Sequence, residues 1–172
     1  PYVKKLYTVP NILQIMNYLL KSASIYLHKK VSRFFGRRIR WSVAYQFTNF
    51  WLKPELGSSV KIQNPKNRFL ADPFLIYRNG KHYCFVEDFD YSKDQGCISV
   101  YEIHKEGYSK LGKALVEDFH LAYPYLFEFK GELYMCPDTH AKNDIRLYKC
   151  VEFPLKWEFE KTLINNISAV DT

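Results

Sequence analysis

The sequence predicts an all-β fold: a partial β-propeller of about two blades and the first residues of a third, preceded by a basic amphipathic helix. Three observations carry this expectation. The stretch from Ala71 to Tyr83 recurs from Ala122 to Tyr134, with Pro73, Leu75, Gly80 and Tyr83 matched to Pro124, Leu126, Gly131 and Tyr134 at one offset of 51 residues. A period near fifty residues is the mark of a repeat architecture in which each copy is one supersecondary unit. Within each copy, short β-type runs are punctuated by turn residues and no helical period separates them, which excludes a parallel α/β sheet. Two units are expected: 1–40, helix and linker, and 41–172, the incomplete propeller.

Residues 11–35 read as the helix. Ile12, Met16, Leu19, Ala23, Leu27, Val31 and Phe34 recur at three- and four-residue steps, the period of one apolar helix face. Thr8 or Asn11 can cap its start, Pro10 suits the first turn and Gly36 is a candidate stop. Asn11, Gln14, Asn17, Lys21, Ser22 and Ser24 interrupt the apolar run, so it does not suit a membrane span of about 20 apolar residues. It suits either an anionic membrane surface or a connector packed on a neighbouring domain.

From Ile39 to Phe47 the period changes to two, the pattern of a half-buried strand, and a turn-rich stretch follows through Asn67. The first copy then places strands at 73–77 and 82–87 around the turn Asn79-Gly80, a strong hairpin signal. Further strands are expected at Ile98–Ile103 and near Ala114–Val116, with a loop at Asp90–Gly96. The second copy repeats the pattern at 124–129, 132–136, 145–150 and 157–163. Four antiparallel strands per unit is the plan of a propeller blade. A third copy opens at Val170-Asp171-Thr172, so the sequence is expected to continue past Thr172. With Pro rather than Met first, it is also expected to begin upstream.

Charge is unevenly distributed. The whole chain carries 25 Lys and Arg against 18 Asp and Glu. Nine of the basic residues and none of the acids lie in 1–40, leaving the remainder with a small negative balance. The high isoelectric point belongs to the N-terminal segment, which argues against a nucleic-acid-binding protein. Cys84, Cys97, Cys136 and Cys150 form no CxxC pair and sit in apolar runs, as buried thiols do. No signal peptide is visible, and the expected location is cytoplasmic, with peripheral membrane contact through residues 11–40.

The hairpin register brings candidate chemistry together. Around Asn79-Gly80, paired positions sum to about 159, which sets Asp72 opposite Glu87. In the second copy the sum of 261 sets Tyr123 opposite Asp138, and Asp171 opens the same position in the third. Facing carboxylates drive their pKa values apart, as general acid–base chemistry requires. The alternative is that Asp72 caps a turn before Pro73 while Glu87-Asp88 forms a solvated strand end. His120 either points into the same mouth or serves as a loop hydrogen-bonder. The acidic run from Glu87 to Asp94 lacks the spacing of a calcium loop and is read as a loop. No phosphate-binding glycine loop, metal cluster or nucleophile elbow is present, so neither metal nor cofactor is expected.

Several of these residues also carry a family likeness. The run from Arg68 to Leu75, then Gly80, Tyr83 and Glu87-Asp88-Phe89, resembles the five-bladed propellers of the family-43 and family-32 glycoside hydrolases. The runs His120–Pro124, Glu132–Met135 and Cys150–Pro154, then Trp157-Glu158 and Ala169–Thr172, resemble the N-terminal propeller domain of glucosamine inositolphosphorylceramide transferase-like proteins. The likeness covers about residues 41–172. The basic helix resembles the linker that follows a formyltransferase-type domain in bacterial versions of this propeller.

The resemblance implies a five-bladed propeller that holds a carbohydrate or glycolipid within a longer sugar-modifying transferase. It implies Asp72 as the position of the hydrolase base or nucleophile. Glu87, His120, Tyr123, Asp138 and Asp171 are then the substrate-binding candidates. Tyr123 stands where a hydrolase offers a second Asp, which favours transfer or binding over hydrolysis. The runners-up are a glycosidase with Asp72 as base and a non-catalytic module tethered to a membrane acceptor.

Overall fold

The computed structural model describes residues 9–34, 40–50 and 52–171. The chain divides into two units, Pro1–Arg40 and Trp41–Thr172. Among the described residues there is one α-helix and three antiparallel sheets, and no sheet closes into a barrel.

Helix α1 runs over Ile12–Phe34. Its start is fixed by a reciprocal pair: the Gln14 N–H donates to Asn11 Oδ1, and the Asn11 N–H donates to Gln14 Oε1, both at 2.9 Å. That is a capping box with Asn11 at the N-cap, satisfying two backbone donors that a helix start otherwise leaves without partners. Pro10 therefore precedes the cap instead of sitting in the first turn. Thr8 and Gly36 lie outside the described residues. No described helix is long and apolar enough to cross a membrane.

In the second unit, β1 (Ala44–Tyr45) pairs with β2 (Val60–Lys61) as a short ribbon. The strand expected over Ile39–Phe47 shrinks to two residues because its partner is short, bounded by the turn-rich stretches on either side. The alternation survives without the ladder. Val43 and Tyr45 are buried while Trp41 is exposed, and Ile39 lies outside the described residues.

The first four-stranded sheet is a meander of β3 (Arg68–Arg78), β4 (Lys81–Asp90), β5 (Gln95–His104) and β6 (Gly107–Leu115). The second is a meander of β7 (Ala122–Phe129), β8 (Glu132–Asp138), β9 (Asp144–Glu152) and β10 (Lys156–Asn165). The acidic run after Val86 is thus mostly strand, and only residues 91–94 make the turn between β4 and β5.

Both first hairpins close on two-residue turns. Arg78 pairs with Lys81 across Asn79 (φ 52°) and Gly80 (φ 75°), and Phe129 pairs with Glu132 across Lys130 (φ 51°) and Gly131 (φ 81°). Two consecutive positive φ values give the turn whose twist matches that of the strands, and Gly at the second position accepts it without steric cost.

The sheets pack face to face through one apolar layer. Tyr83, Phe85, Ile98 and Val100 from the first meet Leu126, Leu133, Met135, Tyr148 and Trp157 from the second. On the far face of the first sheet, Leu70, Cys84, Val86, Tyr101 and Ile103 are covered by Val43, Tyr45 and Ile62 of the ribbon. Strand β4 is thus buried on both faces, which explains its nearly continuous apolar run from Tyr83 to Val86. Phe85 sits at the centre of the shared layer with no exposed surface, and its ring meets Trp157 edge-on at 5.9 Å. Phe85→Ala is expected to lower unfolding stability by about 3–5 kcal/mol in urea titration. Leu75→Ala, on an exposed side chain of β3, should change it by less than about 0.5 kcal/mol.

Candidate functional site

The hairpin sums hold near the turns but not at the far end of the strands. From Phe74↔Phe85 to Arg78↔Lys81 the first pair keeps the sum of 159, yet the next pair is Ala71↔Glu87. Two residues, Asp72 and Pro73, there oppose the single Val86. The second hairpin has the same irregularity: Ala122 pairs with Asp138 and Tyr125 with Cys136, leaving Tyr123 and Pro124 opposite Pro137. Asp72 is therefore not directly opposite Glu87, nor Tyr123 opposite Asp138; each pairing is displaced by one residue. Proline is the physical reason, since it lacks the N–H that the ladder needs and is admitted to a sheet interior at a bulge.

The bulge throws the preceding residue into the left-handed region. Asp72 has φ 48° and Tyr123 φ 45°, and Asp171 has φ 54°. Asp tolerates this conformation, but a bulky aromatic does so at a cost of order 1–3 kcal/mol, and such strain concentrates at functional sites. The Tyr123 backbone N–H lies near enough to the Asp72 carboxylate to favour its charged form, bringing the two bulges together across the sheets.

Despite the shifted register, the predicted residues converge. Glu87 lies within electrostatic reach of Asp72 and Asp138. Asp72 in turn feels Asp171, Asp138 and His120. Tyr123 joins through its backbone and is half-buried, whereas Asp171 is exposed. His120 Nε2 is 3.7 Å from Glu87 Oε1, and the His120 ring packs 5.7 Å from that of Phe89.

Two participants were not singled out in the sequence. His140 lies at 2.8 Å from Asp138 Oδ1 through its Nδ1, and its backbone N–H donates to the same oxygen at 2.9 Å. Its ring stands 6.0 Å from that of His120. Gly96 donates its N–H to His120 Nδ1 at 2.9 Å, and its carbonyl accepts from the Leu121 N–H at 3.1 Å. A signal for His140 was present: at the 51-residue offset, His120 and His140 occupy the places of Phe69 and Phe89, whose rings stack at 4.8 Å.

The neighbouring acid has a different fate. Asp88 has no exposed surface and accepts from Arg68 Nε, from Ser99 Oγ at 2.7 Å and from Lys110 Nζ at 3.2 Å. Arg68 and Ser99 hold its carboxyl below the usual range against the opposing effect of burial. Glu87 has no such partners. Burial, then the negative charges of Asp72, Asp138 and Asp88, push its carboxyl up to about 8. Burial likewise raises Asp72, helped by Asp171 and Asp138 and opposed by the Tyr123 N–H. Burial and the neighbouring His140 lower His120, which favours the neutral ring. Among the described residues, no group of three or more His, Cys, Asp or Glu is arranged to hold a metal ion.

Fold and geometry together define an antiparallel β-sheet domain in which carboxylates and imidazoles gather at the seam between two meanders. The family model described as glucosamine inositolphosphorylceramide transferase 1, N-terminal, matches residues 41–172, and the chain belongs to that family. Proteins named glucosamine inositolphosphorylceramide transferase 1 are similar to it: 41% identical in Oryza sativa subsp. japonica and 38% identical in Arabidopsis thaliana. The rice match covers 59% of this chain and 14% of the rice protein; the Arabidopsis match covers 58% and 13%. The chain thus matches only a small part of these relatives' length. No solved structure matches it.

Glu87 provides a test of the electrostatics. Its folded pKa lies above its unfolded value, so between the two the folded state binds the extra proton and stability falls as pH rises. The wild type is expected to lose stability between the ordinary glutamate range and about pH 8, and Glu87→Gln should remove that part of the slope. Parallel denaturant titrations across this range check it; identical slopes would refute the assignment.

Proposed function

We propose that residues 41–172 are the carbohydrate-binding portion of a glycolipid-modifying transferase, built as an incomplete five-bladed propeller whose first two blades are the two meanders. The observation that carries this reading is the convergence of Asp72, Glu87, His120, Asp138 and Asp171 on one mouth. Hydroxyl groups of a sugar need closely spaced acceptors and donors, and carboxylates with imidazoles offer both. The half-buried Tyr123 provides an aromatic face beside them. The names of the plant relatives support a glycolipid as the thing modified, and Asp72 is the residue assigned to the chemistry.

The mouth is acid-rich, so it suits the neutral part of a sugar better than an anionic phosphate. Ligand-observed NMR with methyl glycosides of glucose, galactose, mannose and glucosamine, and with myo-inositol, tests the reading. Asp72→Asn should weaken the best of these by about tenfold or more, the scale of a lost charge-assisted hydrogen bond. Tyr123→Gly should leave stability unchanged or raised, because it relieves the positive φ, while lowering affinity by removing the ring. Release of the aglycone from aryl glycosides, abolished in Asp72→Asn, would instead assign a hydrolase.

The N-terminal helix supports a second, independent role. Ile12, Met16, Leu19 and Leu27 share one face of α1, and the segment to Arg40 contains no acid. We infer a peripheral contact with anionic membrane, where the acceptor lipid lies. Binding to phosphatidylserine vesicles should be strong at low salt, fall at 0.5 M NaCl and vanish when residues 1–40 are removed; binding that survives the deletion would rule this out.

A further inference from the structure

We propose that Gly96, His120 and Glu87 form one positioning unit that seats a single hydroxyl of the carbohydrate, an inference that rests on the carbohydrate-binding role above. Gly96 needs no side chain for a reason unrelated to its backbone angles, since its φ is not among the positive ones. A Cβ there would stand 2.5 Å from the Leu121 carbonyl oxygen, 2.9 Å from His120 Cε1 and 3.0 Å from Glu87 Oε1. At Gly57, Gly80, Gly107 and Gly131 a Cβ would meet nothing within 4 Å. Position 96 is thus a close approach of strand β5 to the chain entering β7, beside the His120–Glu87 pair.

The same glycine sets the proton on His120. Its N–H donates to Nδ1, so in the neutral ring the remaining proton is on Nε2. That N–H faces Glu87 across 3.7 Å, beyond hydrogen-bond distance but within reach of one oxygen touching both groups. Glu87 is 6% exposed, and among the described residues nothing makes a hydrogen bond to its carboxyl. No neighbouring donor among those residues occupies the Glu87 carboxyl, whereas the Asp88 beside it has its acceptors filled.

The ligand that fits must accept from an imidazole N–H and also bond a carboxyl. A hydroxyl does both. An anion is repelled by Asp72, Asp138 and Asp171, and an ammonium cannot accept from Nε2–H. His120 and Glu87 are the two groups in contact with the hydroxyl; Gly96 acts through His120 and is a positioning residue.

The experiment uses the full chain. Long-range proton–nitrogen NMR of the ligand-free protein at pH 7 should show the Nε2–H tautomer of His120, and Gly96→Ala should disturb it. Among the monodeoxy derivatives of the best-binding methyl glycoside, removal of one hydroxyl should lower wild-type affinity at least tenfold. The same removal should make no difference in Gly96→Ala. His120→Gln, which can place an amide N–H near the Nε2 position, should retain most of the affinity. His120→Asn keeps only the acceptor for Gly96 and should lose it, which a purely structural role does not predict. Unchanged tautomer and affinity in Gly96→Ala, or equal affinities in His120→Asn and the wild type, would overturn the proposal. If no glycoside binds the wild type while the tautomer is locked as described, the carbohydrate reading fails and the hydroxyl seat falls with it; the backbone lock alone then stands.

Discussion

Burying strand β4 on both of its faces commits the rest of residues 41–172 to their places. Tyr83 and Phe85 must be covered by a second sheet, and Cys84 and Val86 by the β1–β2 ribbon. Because side chains alternate along a strand, the two acids that follow inherit opposite sides. Asp88 falls where Arg68, Ser99 and Lys110 can satisfy it. Glu87 falls at the seam between the sheets, where the nearby groups are carboxylates and His120. The contrast between an acid whose pKa is held down by its partners and one whose pKa is pushed up is thus a consequence of strand parity and not of any difference in the residues themselves.

The extent to which this was legible depends on the element. The strands and their order followed from period-two patterning and turn chemistry, and Asn79-Gly80 and Lys130-Gly131 fixed both hairpins near their turns. The register failed beyond Pro73 and Pro124. Extrapolating a ladder assumes that each residue can donate, and proline cannot, so one residue is extruded and every pairing past it moves by one. The prolines were in plain view; what the pattern did not contain was how the chain would absorb them. The strand beginning at Ile39 failed for a different reason. Its alternation is real, but a ladder needs a partner of equal length, and that length is set by turns some fifteen residues away.

The gathering of the candidate residues was legible and their supports were not. Asp72, Glu87, Tyr123 and Asp138 could be read from position within the two similar segments and Asp171 from the start of a third, and bulges at Asp72 and Tyr123 even preserve the equivalence of those two. Gly96 could not be read in this way. Its role arises from a close approach between β5 and the chain before β7, a contact across 24 residues of sequence that no local pattern records. His140 lay between these cases, visible once its position was matched with Phe89.

That match also explains why the polar groups gather at a seam. In the first sheet the positions at the strand ends hold Phe69 stacked on Phe89, which is satisfied by its own packing. In the second they hold His120 and His140, whose ring nitrogens require partners. His140 finds Asp138 within its own sheet, but His120 finds Gly96 and Glu87 in the other. A buried polar group that must reach across an interface fixes the two sheets in one relative placement more strictly than an apolar layer can, because hydrogen bonds are directional and dispersion contacts are not. The exchange of a phenylalanine pair for a histidine pair therefore does two things at once. It supplies the seam with imidazole, and it holds Asp72 and Glu87 of one sheet in fixed relation to Tyr123 and Asp138 of the other.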